Sequence, residues 1–68
     1  MLDDRLEDEM IDVEVLHIAL SKEQESIDVY QGMLKTNPGV KDLLYVLITE
    51  EQKHKKLIEK RIVELTRY

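Results

Sequence analysis

The chain contains no cysteine, which excludes disulfide staples and thiolate metal sites. It has no apolar run approaching the ~20 residues that span a bilayer, so no membrane is expected as a partner. It also has no signal-peptide core, because Met1-Leu2-Asp3-Asp4-Arg5 is acidic from the start. A cytoplasmic location, or a protein compartment reached from the cytoplasm, is the expectation. Nothing alternates with period two for long, so strands are not expected. With 68 residues, one domain is the most the chain can form. A core this small rarely holds a monomer together without disulfides, a metal or a partner. With disulfides gone, an oxygen/imidazole metal site, oligomerisation, or both remain.

What is present is charge and helical periodicity. The net charge of −5 disfavours a phosphate backbone as partner. The basic run Lys53, Lys55, Lys56, Lys60 and Arg61 lacks interleaved aromatics, so it reads as a solvated face and no nucleic acid is expected. Leu6, Val13, Leu20, Ile27 and Leu34 recur every seven residues, and a second column reads Glu9, Leu16, Glu23, Tyr30. One helix from about residue 3 to 36 follows. Thr36-Asn37-Pro38-Gly39 is the one breaker cluster, and it sets a turn at 37–39. A second helix spans about 40–68, with inner columns Leu44, Glu51, Ile58, Leu65 and Val40, Leu47, His54, Arg61. Leu43, Ile48, Leu57 and Ile62 widen its apolar stripe, as suits a helix touching two neighbours. A short turn makes the helices antiparallel. The expected fold is therefore an all-α two-helix hairpin that homodimerises into a four-helix bundle.

The residues that break the stripe carry the chemistry. A lone buried carboxylate is costly unless it is paired or binds a metal. Glu23 and Glu51 each lie 14 residues from Asn37, so an antiparallel hairpin sets them level. His54 is one turn beyond Glu51 on the same face. A two-fold axis at that height would gather four carboxylates and two imidazoles, which is the donor set of a di-iron carboxylate centre. Glu14 and His17 repeat the Glu-x-x-His spacing but fall off the stripe. They read as solvated flank, with an accessory metal site as the alternative. Glu50 faces away from Glu51 by ~100° and is expected in solvent. Glu9 is expected exposed by fraying or paired with a basic residue. Tyr30, two turns from Glu23, either packs in the core or holds a ligand carboxylate through its hydroxyl. A salt bridge to Arg61 is the bland alternative for Glu51 and His54.

Glu23-Gln24-Glu25-Ser26-Ile27-Asp28-Val29-Tyr30 resembles the Glu-x-x-Ala-x-x-x-Tyr segment of rubrerythrin-type proteins of the ferritin-like superfamily. Glu50-Glu51-Gln52-Lys53-His54 is similar to their Glu-Glu-x-x-His segment. The likeness spans roughly residues 16–58, one half of a rubrerythrin bundle, and extends to the two-helix encapsulated ferritins. It implies Glu23 as a terminal or bridging ligand, Glu51 as a bridging ligand and His54 as a terminal one. It also implies a homodimer or higher even oligomer, and an encapsulating shell as a further partner. The Cys module of rubrerythrins is missing, and Glu64-Leu65-Thr66-Arg67-Tyr68 does not match a capsid-targeting tail. The expected activity is ferroxidase-type, an oxidoreductase using Fe(II) and oxygen or peroxide for iron storage or detoxification. Iron is the expected cofactor, with manganese or zinc as substitutes. The rivals are a di-iron peroxidase or oxidase that stores no iron, and a metal-free helical dimerisation adaptor.

Overall fold

The computed structural model describes the backbone of residues 4–67 and the side chains of residue 8 and residues 10–67. The chain is all-α: α1 spans Asp4–Thr36, a 3-10 turn spans Pro38–Val40, and α2 spans Lys41–Thr66. The two long helices lie antiparallel in a rod of 57 × 14 × 11 Å. The side chains of Leu6 and Glu9, and the expected helical reach to Asp3 and Tyr68, lie outside the described residues. Among the described residues, α2 stops at Thr66, because Arg67 turns extended at φ −85°, ψ 115°.

The reversal is built from the expected breaker residues. The Asn37 backbone N–H donates to the Met33 carbonyl at 2.8 Å, closing α1. The Asn37 side-chain amide donates to the same carbonyl at 3.3 Å and to Thr36 Oγ1 at 2.8 Å. Pro38 then opens the 3-10 turn, where its missing N–H costs nothing and its fixed φ is already helical. The Val40 N–H donates to the Asn37 carbonyl at 3.2 Å. Lys35 in the last turn of α1 and Asp42 in the first turn of α2 complement the helix dipoles. Gly32 lies within α1 with nothing within 4 Å of a Cβ built there. Gly32→Ala should therefore raise stability by about 0.5–1 kcal/mol, read as a higher denaturant midpoint at unchanged slope.

Among the described residues three side chains are buried: Ile27 at 4%, Leu44 at 5% and Ile48 at 7% exposure. Around them Val13, Leu16, Leu20, Tyr30 and Leu34 of α1 are half-buried, as are Leu47, Ile58, Ile62 and Leu65 of α2. Both expected columns of α1 therefore face α2 wherever side chains are described. Of one expected column of α2, Val40, Leu47, His54 and Arg61, only Leu47 is half-buried. Val40, His54 and Arg61 are exposed, as are the flanking Leu43 and Leu57. The column meeting α1 beside Leu44, Glu51, Ile58 and Leu65 is instead Ile48, Lys55 and Ile62. The reason is that a stripe this wide permits several rotations of α2, and the one adopted buries Leu44 and Ile48 on the side of Ile27.

The rotation leaves the hairpin with two unlike flanks. Asp12, Val15 and Leu16 share a cleft with Arg61 and Leu65 on one flank. His17, Leu20, Ser21 and Gln24 share another with Lys55 and Glu59 on the opposite flank. At 100° per residue, the first flank also carries Met33 on α1 and Leu43, Leu47, His54 and Leu57 on α2. Val15, Met33, Leu43 and Leu57 are 41–66% exposed there. The surface is 5559 Å², against about 4,500 Å² for a compact monomer of this mass. Among the described residues no helix is long and apolar enough to cross a membrane.

Candidate metal centre

Glu23 stands one turn before Ile27 on the inner face of α1. Glu51 stands three residues after Ile48 on α2, and His54 three residues further. The equal distance from the turn puts Glu23 and Glu51 at one height, with His54 one turn further on, and the helix–helix contact brings the three together. One ligand atom from each of Glu23, Glu51 and His54 lies within 4.8 Å of the other two. His54 Nδ1 is 3.6 Å from Glu23 Oε2 and 3.6 Å from Glu51 Oε1. Those distances are too long for hydrogen bonds. They suit a shared ion, because two ligand atoms each ~2.1 Å from a tetrahedral metal are about 3.4 Å apart.

The electrostatics point the same way. Glu23 Oε2 is buried and finds no hydrogen-bond partner among the described residues, an arrangement that burial penalises unless a cation or donor completes it. The Glu51 carboxyl is raised above the ordinary carboxylate range. The first cause is the adjoining Glu23 carboxyl, an acceptor for a proton on Glu51, and burial and the Glu23 charge add to it. His54 acts in the opposite sense and Glu50 in the same one. Two carboxylates this close favour holding one proton between them when no cation is present. Glu23 and Glu51 are 23% and 19% exposed, and His54 is 48% exposed. The three donors therefore form a half-lined site that opens on the apolar flank. Three protein ligands with an open side is the pattern of reactive rather than closed structural metal sites.

The remaining residues named from sequence lie elsewhere. Tyr30 is half-buried on the inner face of α1 and is not one of the three clustered donors. Glu14 and His17 are exposed, and His17 borders the cleft on the opposite flank. Glu50 is exposed and accepts from Lys53 Nζ at 3.4 Å. Arg61 pairs with Glu64 at 3.2 Å, so it takes no part in holding Glu51 or His54. The basic run is a solvated face except at Lys55. That residue is half-buried, and its Nζ donates to Gln24 Oε1 across the helix pair. The signal that could have found it is the three-four spacing of Leu44, Ile48, Glu51, Lys55, Ile58 and Ile62, in which Lys55 occupies an inward position.

Comparison with family models, with curated proteins and with solved structures found no match.

Proposed function

We propose that the protein is a di-iron carboxylate protein of the ferritin-like, rubrerythrin type, in which two hairpins pair into a four-helix bundle and oxidise Fe(II). The observation that carries this reading is the convergence of Glu23, Glu51 and His54 around a buried, unpartnered carboxylate oxygen. The setting supports pairing. The hairpin exposes about 1,000 Å² more than a compact monomer, close to one partner's share of a standard interface. The open side of the donor cluster lies on the same flank as the exposed Val15, Met33, Leu43 and Leu57. A two-fold axis at the height of Glu51 would cover that flank and join two donor sets.

In this reading Fe(II) is the substrate, each ion giving one electron, so that two reduce one hydrogen peroxide and two protons to two waters. Glu23 and His54 hold the ends of the pair, and Glu51 lies between. The carboxylates would neutralise ion charge on a flank that a second hairpin would cover. Tyr30 orients a ligand carboxylate and so affects rate more than binding. Mixed carboxylate and imidazole donors suit iron or manganese better than a closed zinc site. Storage is the expected use of the product, and consumption of peroxide without storage is the alternative.

The test loads anaerobic protein with Fe(II), adds oxygen or peroxide, and follows the near-ultraviolet absorbance of Fe(III). His54→Ala should abolish the fast phase, whereas His17→Ala should leave it intact. If both variants behave alike, or if wild type oxidises iron no faster than buffer, the redox reading falls and a metal-free dimerisation adaptor takes its place.

A further inference from the structure

We propose that the hydrogen bond between Lys55 and Gln24 is a register clasp that sets Glu23 opposite Glu51 and His54 before any metal arrives, an inference that rests on reading those three residues as ligands. Apart from the donor cluster, the inner faces of α1 and α2 are mostly leucine, isoleucine and valine, with Ala19, Ser26 and Tyr30 on α1. The short turn at Pro38–Val40 fixes which helical turns face each other, but an aliphatic seam leaves the finer alignment weakly selected, because a small slide exchanges one aliphatic contact for another. A polar contact at an inward position is what selects one alignment. Here the donor cluster does not supply it. Glu23 and Glu51 are both acidic, and His54 stands 3.6 Å from each, beyond hydrogen-bonding range.

Gln24 on α1 and Lys55 on α2 lie beside the cluster on the two helices of the seam. Gln24 follows Glu23 directly, and Lys55 follows His54 directly. Side chains on a helix lean toward its N-terminus. In an antiparallel pair, Gln24 therefore leans toward the height of His54, and Lys55 leans toward the height of Glu23. The two converge, and Lys55 Nζ donates to Gln24 Oε1. Gln24 is itself held, its Nε2 donating to Asp28 Oδ1 at 2.9 Å. The clasp is charge-assisted and half-buried, the stronger kind of polar contact. It lies on the flank opposite the open apolar side, with His17 and Glu59, and so leaves the ligand side free to be covered. Lys55 is thus a positioning residue: it touches no ligand atom and acts through helix alignment.

The sign of one substitution separates this role from a merely electrostatic one. A lysine near a cation site repels the cation, so removing its charge should tighten metal binding if charge were all that mattered. A register clasp requires the reverse. Mn(II) binding to the full chain is followed by electron paramagnetic resonance, and contact between the His54 ring and the Glu23 side chain in metal-free protein by nuclear Overhauser effects. Lys55→Met keeps the apolar stem and should weaken Mn(II) binding about tenfold, the lower end of the effect of groups that orient ligands. Gln24→Leu keeps the lysine charge and should weaken binding by a similar factor. The double variant should be no worse than either single one, and Lys55→Arg, which keeps a donor, should restore wild-type affinity. Both clasp-breaking variants should lose the His54–Glu23 contact while circular dichroism reports unchanged helix. If the contact persists and Mn(II) binds as tightly or more tightly, the clasp is wrong. If wild type binds no Mn(II) yet the variants still lose the contact, the clasp stands and the metal reading falls.

Discussion

A hundredfold dilution should lower the thermal midpoint of this protein by several degrees. The expectation follows from how little the single hairpin buries: among the described residues only Ile27, Leu44 and Ile48 are fully inside. If folding is completed by a second copy, the stability of the dimer falls by about 2.7 kcal/mol for each hundredfold dilution. Circular dichroism melts across that range measure it directly. The substitution that should act most strongly is Leu57→Lys. Leu57 is 66% exposed in the hairpin and lies one turn beyond His54 on the apolar flank. In a solitary hairpin a lysine there is nearly neutral, within about 0.5 kcal/mol. In the paired bundle two unpaired ammonium groups enter the interface, costing several kcal/mol, and light scattering should report loss of the dimer. A midpoint indifferent to dilution, together with a harmless Leu57→Lys, would return a self-sufficient hairpin.

Metal should have the second large effect, and its dependence on pH has a definite sign. In the metal-free protein the Glu51 carboxyl is raised, chiefly by the adjoining Glu23 carboxyl. A carboxyl that binds its proton more tightly folded than unfolded stabilises the fold at low pH. That contribution is fully present below the ordinary carboxylate range and is lost as pH rises through the raised Glu51 value. Metal-free protein should therefore melt lower near neutrality than at mildly acidic pH, as far as this pair decides it. Bound metal reverses the sign, since both carboxylates then ligate as anions and protons compete with the ion. At a thousandfold excess over its dissociation constant the ion adds about 4 kcal/mol, which moves the midpoint of so small a domain by well over 10 °C. Glu51→Gln removes the like-charge conflict. It should melt higher than wild type when both are metal-free at neutral pH, and it should lose most of the response to Fe(II) or Mn(II). Parallel pH profiles with and without metal would count against a buried carboxylate site.

Much of the site was legible because helix geometry converts numbering into height. Glu23 and Glu51 are equidistant from Asn37, and a tight turn makes equal distance mean equal level. That argument needs no side-chain detail. His54 follows from the three-residue step along one face, whereas Glu14 and His17 fall off the inner stripe and are exposed. The clasp was not legible. Lys55 stands in a run of lysines, and composition assigns such a run to solvent. Only its inward position, which depends on the rotation of α2, distinguishes it from Lys53 and Lys56.

By itself the sequence determined the two helices, the break at Asn37-Pro38-Gly39 and the shared height of Glu23 and Glu51, because these depend on local propensity and on a rise per residue that tertiary contacts barely alter. The rotation of α2 about its own axis was decided only by the tertiary structure. Its apolar positions cover so wide an arc that hydropathy alone is satisfied by columns through Leu47 or through Ile48. Packing against α1 buried Ile48, drew Lys55 inward to meet Gln24, and left His54 on the open flank. The buried, unpartnered oxygen of Glu23 is likewise a product of that packing, since whether a carboxylate finds a partner depends on distances of a few ångströms that residue spacing cannot specify.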